Sequence, residues 1–372
     1  MLRRMNRLTR QGSDQLRLHE SHLRWSRTWL NLAVLLVVCV AVARSAAAVE
    51  LQTDRARYEL GQPVAFSLQL PAAPSSSSEV RVRYRHLNDV VQVQTIQASS
   101  AQLSWSWTPP PDDYRGYLAE VEVIDNETVT SRSSIGVDVS SDWARFPRYG
   151  FLSKYDQNAD VSGVLERLNR YRINGLQFYD WHHKHHKPLR GTPAAPAPAW
   201  PDIANRTNYF ATVDSYIAEA HQRGMMAMSY NLAHGALDDA GAAGDGVQDA
   251  WYLYRDTSQQ QKDVHELPDG WLSDIYLLNP RNSEWRDYIA QQTADAFQAL
   301  PFDGWHVDQL GDRGTVYDAA GNAIDLSQAF GPFVNAVKAR PELADKRFVM
   351  NAVNQYGQSN IATAAVDFLY TE

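Results

Sequence analysis

Between residues 49 and 141, apolar and polar positions alternate in short runs. Val64-Ala65-Phe66-Ser67-Leu68-Gln69-Leu70 does so, as do Val80-Arg81-Val82-Arg83-Tyr84, Leu103-Ser104-Trp105-Ser106-Trp107 and Leu118-Ala119-Glu120-Val121-Glu122-Val123. A period of two predicts strands with one buried and one wet face. Leu60-Gly61-Gln62-Pro63, Pro71 to Ser78 and Pro109 to Asp113 break the runs where turns belong. Short alternating strands so spaced predict an immunoglobulin-like β-sandwich over 49–141. No chemical constellation falls within it, so its expected role is structural or sugar-binding.

From Arg148 the period changes to strand, helix, strand. Predicted strands are Gly150 to Tyr155, Leu176 to Tyr179, Met225 to Tyr230, Trp305 to Val307, Phe348 to Val353 and Val366 to Tyr370. Between them, apolar residues recur at helical spacing from Val161 to Tyr171, Phe210 to Arg223, Ser283 to Leu300 and Leu326 to Ala339. Asp160 suits the first helix as an N-cap, and Gly224 suits the second as a stop. This alternation predicts a (β/α)8 TIM barrel over 142–372. An open, doubly wound sheet is the other solution, but no Gly-rich phosphate loop follows a strand. Six strands are two short of closure, so the chain reads as a barrel cut before its last two βα units. The Gly-, Asp- and Gln-rich stretch from Ala233 to Ser273 reads as a loop inserted after the third strand.

Residues 1–48 have another character. A leader with Arg3, Arg4, Arg7, Arg10, Arg17, Arg24 and Arg27 precedes an uncharged run from Trp29 to Ala43, then Arg44-Ser45-Ala46-Ala47-Ala48. This is the order of a secretory signal peptide. The 15-residue run is short for a bilayer span of about 20 residues, so an uncleaved anchor is the alternative. Cleavage after Ala48 would remove Cys39, the one cysteine, together with 8 basic and 2 acidic residues, moving the formal charge from −8 to −14. The expected product is a secreted, cysteine-free, acidic protein with no stable membrane association. Its charge argues against nucleic acid as a partner.

In a (β/α)8 barrel the chemistry stands at the C-terminal ends of the strands. Those ends carry Tyr155, Asp180-Trp181-His182, Tyr230-Asn231, His306 with Asp308, Asn351 and Glu372. Aromatic rings that stack on pyranose faces, mixed with amides and carboxylates that hold hydroxyls, suit a sugar site. Two carboxylates on different strand ends can divide acid and nucleophile roles, and Asp308 and Glu372 are the obvious pair. Each also has a plainer reading. Trp181, Tyr230 and Trp305 could fill the core, and Asp303 and Asp312 could be turn residues. His182-His183-Lys184-His185-His186 invites a metal, with His182 and His186 spaced to chelate on a helix. Pro188 and the lack of a helical period favour a basic aromatic loop instead, so no metal is expected.

Gly150-Phe151-Leu152-Ser153-Lys154-Tyr155 and Ile173-Asn174-Gly175-Leu176-Gln177-Phe178-Tyr179-Asp180-Trp181-His182, with Lys184, His185 and Lys187-Pro188-Leu189, resemble glycoside hydrolase family 66. Phe302-Asp303-Gly304-Trp305-His306-Val307-Asp308 with Gly311-Asp312-Arg313-Gly314 resembles its nucleophile segment, and Val366 to Glu372 its acid/base segment. The family contains endo-dextranases and cycloisomaltooligosaccharide glucanotransferases. The resemblance implies an immunoglobulin-like domain, a barrel and a further β domain, acting on α-1,6-linked glucan with retention and without a cofactor. By matching position, Asp308 would be the nucleophile, Glu372 the general acid/base and Asp180 a further essential carboxylate in the cleft. Glu372 would protonate the leaving oxygen, a role that asks for burial beside Asp308. Asp308 would form a glycosyl ester, and Glu372 would then activate water; a sugar acceptor would give transfer or cyclisation instead. A chain that ends at its acid/base residue could also be an inactive carbohydrate-binding fragment.

Overall fold

The structure, a computed structural model, describes residues 49–241 and 245–372. The predicted signal peptide and Cys39 lie outside the described residues. Among those described, no helix is long and apolar enough to cross a membrane.

The first part holds seven strands: β1 (Glu50–Thr53), β2 (Val64–Gln69), β3 (Glu79–His86), β4 (Asp89–Gln97), β5 (Gln102–Trp107), β6 (Arg115–Asp125) and β7 (Thr128–Val139). They form two antiparallel sheets, ordered β1-β2-β5 and β4-β3-β6-β7. The alternation works as expected. Val64, Phe66 and Leu68 of β2 meet Val80, Val82 and Tyr84 of β3 in one shared core, with Trp107 and Val121. Aromatic rings tie the two sheets together, Tyr84 stacking on Trp107 at 4.1 Å. β4 and β7 went unread in the sequence because both are edge strands. β4 is wet on nearly all positions, and β7 runs through Thr, Ser and Arg for its first half.

The second part is built on six strands: β8 (Tyr149–Leu152), β9 (Gly175–Phe178), β10 (Met226–Leu232), β11 (Gly304–Asp308), β12 (Arg347–Asn351) and β13 (Phe368–Tyr370). All pair in parallel, and each lies beside its neighbour in chain order. A doubly wound sheet must reverse its strand order at a switch point, and this one never does. It is a curled sheet wound in one direction, six strands of a barrel wall. Helices α1 (Val161–Arg170), α2 (Phe210–Gln222), α3 (Ser283–Ala299) and α4 (Phe330–Lys338) follow β8 to β11 in turn. Asp160 caps α1 as predicted, accepting from the Gly163 amide. The helix expected over 326–339 is broken at Ala329, a 3-10 turn over Leu326–Gln328 preceding α4.

Alternation along β11 sorts its side chains. Trp305 and Val307 pack outward among the helices, Trp305 against Phe333, while His306 and Asp308 point into the curl. Trp143, from a 3-10 turn before β8, joins Met228 and Val349 inside the curl and packs against Tyr149 and Phe368. Glycine is required at 175, since a Cβ there would lie 2.2 Å from the Trp143 ring. The insertion after β10 is an ordered layer. Its Gly235–Ala236, Val264–His265 and Ile275–Leu277 strands form a small sheet, and buried Asp263 draws in Arg255 at 2.6 Å and Arg313 at 2.7 Å.

Residues 49–372 form one compact unit. Ala56 sits in the barrel-side core and its amide donates to the Arg223 carbonyl at 2.9 Å. Asn169 of α1 donates to the Thr53 carbonyl at 2.8 Å, and Arg148 pairs with Asp138 at 2.8 Å. Gly224, the expected stop of α2, has φ +69°, and a Cβ there would lie 2.6 Å from the Arg57 carbonyl oxygen. Both facts demand glycine. Gly224→Ala is therefore expected to destabilise the fold by about 1–3 kcal/mol, read as a lower urea midpoint.

Candidate active site

Asp308 is the last residue of β11 and is buried. Three donors converge on its carboxylate: the Tyr230 hydroxyl at 2.8 Å on Oδ2, and the Asn351 Nδ2 at 2.9 Å with the Gln309 amide at 2.8 Å on Oδ1. The donors come from β10, from β12 and from β11's own exit, so the parallel register itself assembles the cradle. Burial pushes the Asp308 carboxyl up to about 6, against the downward pull of its three hydrogen bonds and with an upward push from the Glu372 charge. Burial also pushes the Tyr230 hydroxyl far above its ordinary value, with Asp308 adding to it, so the tyrosine keeps its proton and donates.

Asp180 follows β9 in a left-handed conformation, φ +52°. Its carboxylate accepts from an Arg206 terminal nitrogen at 3.0 Å. Burial pushes it up to about 7, with Asp202 and Asp308 adding to the rise and Arg206 opposing it. Tyr179, the residue before, packs on the Tyr230 ring at 4.5 Å and keeps an exposed face. Glu372 lies two residues beyond β13, its carbonyl accepting from the Asn354 amide at 3.1 Å. Its side chain is exposed, where the sequence led us to expect burial. Its charge acts on Asp308, Tyr179 and Tyr370, which places it at the same mouth.

Several residues expected to touch a ligand stand behind this surface. Tyr155 stacks on Phe178 and gives its hydroxyl to the Leu152 carbonyl, on the helix side of the sheet. Trp181 has no exposed surface and donates to Ser229 at 3.0 Å. Tyr155 lies three residues past β8, and Trp181 follows the left-handed backbone of Asp180, so strand alternation no longer sets which way either one points. Asn231 spends its amide on His185, its Oδ1 accepting from Nδ1 (2.8 Å) and its Nδ2 donating to the His185 carbonyl (2.8 Å). His306 is sealed inside the curl, stacked on Tyr149 and 3.1 Å from its hydroxyl. These four support the site rather than line it. His182 is also enclosed, its ring near His185 and Tyr230 and both ring nitrogens unpartnered; burial holds it neutral, far below its ordinary range.

The histidine segment is a turn, with the His183 amide donating to the Pro188 carbonyl, so His182 and His186 share no helix face. His186, Asp239 and Asp245 do bring ligand atoms within 4.8 Å of one another. Lys184 already sits on both carboxylates, at 2.6 and 2.7 Å, and Lys187 on Asp245 at 2.8 Å. Two ammonium groups thus fill the place of a cation there.

The sequence model of Glycosyl hydrolase family 66 matches residues 53–372. This chain belongs to that family. It is 33% identical over 340 residues to a cycloisomaltooligosaccharide glucanotransferase of Niallia circulans, which covers 86% of this chain and 34% of the relative. It is 26% identical to a Streptococcus salivarius dextranase, over 69% of this chain and 33% of that protein. Among solved structures, the Paenibacillus sp. cycloisomaltooligosaccharide glucanotransferase complexed with cycloisomaltoheptaose superposes with a TM-score of 0.78 at 32% identity. That match spans 87% of this chain and 48% of the other. The chain thus spans about a third of the length of these curated relatives and about half of the solved one.

One feature of the site escaped sequence reading. Arg206 and Asp202 reach Asp180 from 20 or more positions away in the chain, in a loop without periodicity.

Asp308 is most comfortable protonated, so ionising it costs stability. Its raised value means that this cost is absent below about pH 4 and grows as pH rises through about 6. A rise of about two pH units corresponds to about 3 kcal/mol as an upper figure. Asp308→Asn is expected to raise Tm at pH 8 but not at pH 3.5, measured by calorimetry across that range.

Proposed function

We propose that this chain carries the catalytic carboxylates of a secreted, endo-acting glycosidase that cleaves α-1,6 bonds of dextran-type glucan with retention. One observation supports it most: a buried aspartate at the mouth of a parallel sheet, held by three donors, with the Glu372 charge acting on it. The donors fix one carboxylate oxygen pair against rotation, which is what a nucleophile attacking an anomeric carbon requires. In this reading Asp308 forms the glycosyl ester, and Glu372 first protonates the leaving oxygen and then activates water. Retention would place the two carboxyls about 5–5.5 Å apart when a substrate is bound. Asp180 and Tyr179 line the cleft toward the sugar. The mechanism calls on no metal or organic cofactor. Export by residues 1–48, and an immunoglobulin-like connectivity of the N-terminal sandwich, belong to the same reading, as does the absence of nucleic-acid and membrane partners.

Transfer to a sugar acceptor, including cyclisation, is the second reading. It is favoured by identity, since two glucanotransferases match at 33% and 31% against 26% for the dextranase.

The test is product analysis on dextran. Wild-type protein should release isomaltooligosaccharides whose new reducing ends are α by proton NMR, with the acid limb of activity near pH 6. Asp308→Asn should abolish release, and Glu372→Gln should slow it by about 10²–10⁴-fold. Equal activity of Asp308→Asn and wild type would overturn the assignment. Cyclic or lengthened products would select the second reading.

A further inference from the structure

Arg206 lies in the turn between two short strands, Ala199–Pro201 and Thr207–Tyr209, which pair with each other beside the end of β9. Its Nε donates to Asp202 Oδ2 at 2.7 Å and its backbone amide to Asp202 Oδ1 at 2.8 Å. Asp202 is 1% exposed. That two-point grip directs the free arm of the guanidinium at Asp180 Oδ2, 3.0 Å away. A planar fork with fixed donor directions can do this, and a lysine cannot. The same turn is itself locked: Asn208 donates to the Asp180 carbonyl at 2.7 Å and to the Trp181 carbonyl at 3.2 Å.

Asp180 is otherwise surrounded by groups that oppose its charge. Burial does so most, and the charges of Asp202 and of Asp308 on β11 add to it, while neutral Tyr155, Tyr179 and Tyr230 complete its surroundings. Arg206 is the one cation among these charged neighbours.

We propose that Arg206, anchored on buried Asp202, is the positioning residue that keeps Asp180 an oriented carboxylate in the cleft. The arrangement is a buried carboxylate, a half-exposed cation and a second carboxylate in line, so one positive charge serves two negative ones. Loss of the cation leaves two acids facing each other, and one takes up a proton. Asp180 would then present a hydroxyl donor to a sugar up to a higher pH than it does beside Arg206. This assignment rests on the reading of the cleft as the sugar site, but the charge relay stands apart from it.

Carboxyl-labelled aspartate lets the two be tested separately. The Asp180 titration is followed by carbon-13 NMR in the full chain as wild type, Arg206→Gln and Arg206→Lys. The midpoint should rise by at least about one pH unit in Arg206→Gln. It should rise less in Arg206→Lys, which keeps the charge without the fork. An unchanged midpoint in Arg206→Gln overturns the proposal. If Arg206→Gln does not fold, Arg206→Lys decides alone: any upward move supports the relay and none overturns it. In parallel, the acid limb of kcat/KM on dextran should move to higher pH with the midpoint. Inactive wild-type protein would sink the glucan reading, while the carbon-13 titration would still judge Arg206.

Discussion

Burying an ionised carboxylate at the mouth of a hydrophobic sheet is costly, and much of this architecture answers that cost. Asp308 ends β11 just past Trp305 and Val307, which are fully packed among helices. An isolated charge there would simply take a proton. Three donors lower that tendency without removing it, and the carboxyl settles near 6 rather than at an extreme. A carboxylate in that range is ionised under ordinary conditions yet weakly solvated. The donors exist only because β10, β11 and β12 lie side by side in register, so strand order and chemistry are one constraint.

The second carboxylate is handled differently. Asp180 lies past the end of its strand, where no ladder supplies donors, and a loop cation substitutes for them. The two acids therefore differ in what sustains them, backbone register in one case and a tertiary ion relay in the other. Changes to loops will bear on Asp180, and changes to strand packing will bear on Asp308.

This difference also explains what could be read in advance. Strand ends, their order and the inward acids follow from periodicity, because the sheet imposes a period on its own sequence. Asp308, Tyr230 and Asn351 were legible for that reason, and they do converge. Tyr155 and Trp181 were misplaced because alternation lapses past a strand end: Tyr155 follows an irregular stretch and Trp181 follows the left-handed Asp180, and both turn to the helix side. Arg206 carried no periodic signal at all, since a loop residue is placed by the partner it meets in space. The wet edge strands β4 and β7 were invisible for a related reason: burial writes hydrophobic patterns, and edges are scarcely buried.

The seam between sandwich and sheet has a mechanical consequence. Ala56 is part of the barrel-side core, and Thr53, Asp138 and Arg55 each give the second part a backbone or side-chain partner. Stripping the sandwich away would expose apolar surface and orphan the Asn169 amide and the Arg148 guanidinium. The sandwich is thus no swinging appendage but a splint. It braces the N-terminal ends of β8 and β9, opposite the mouth where the acids stand.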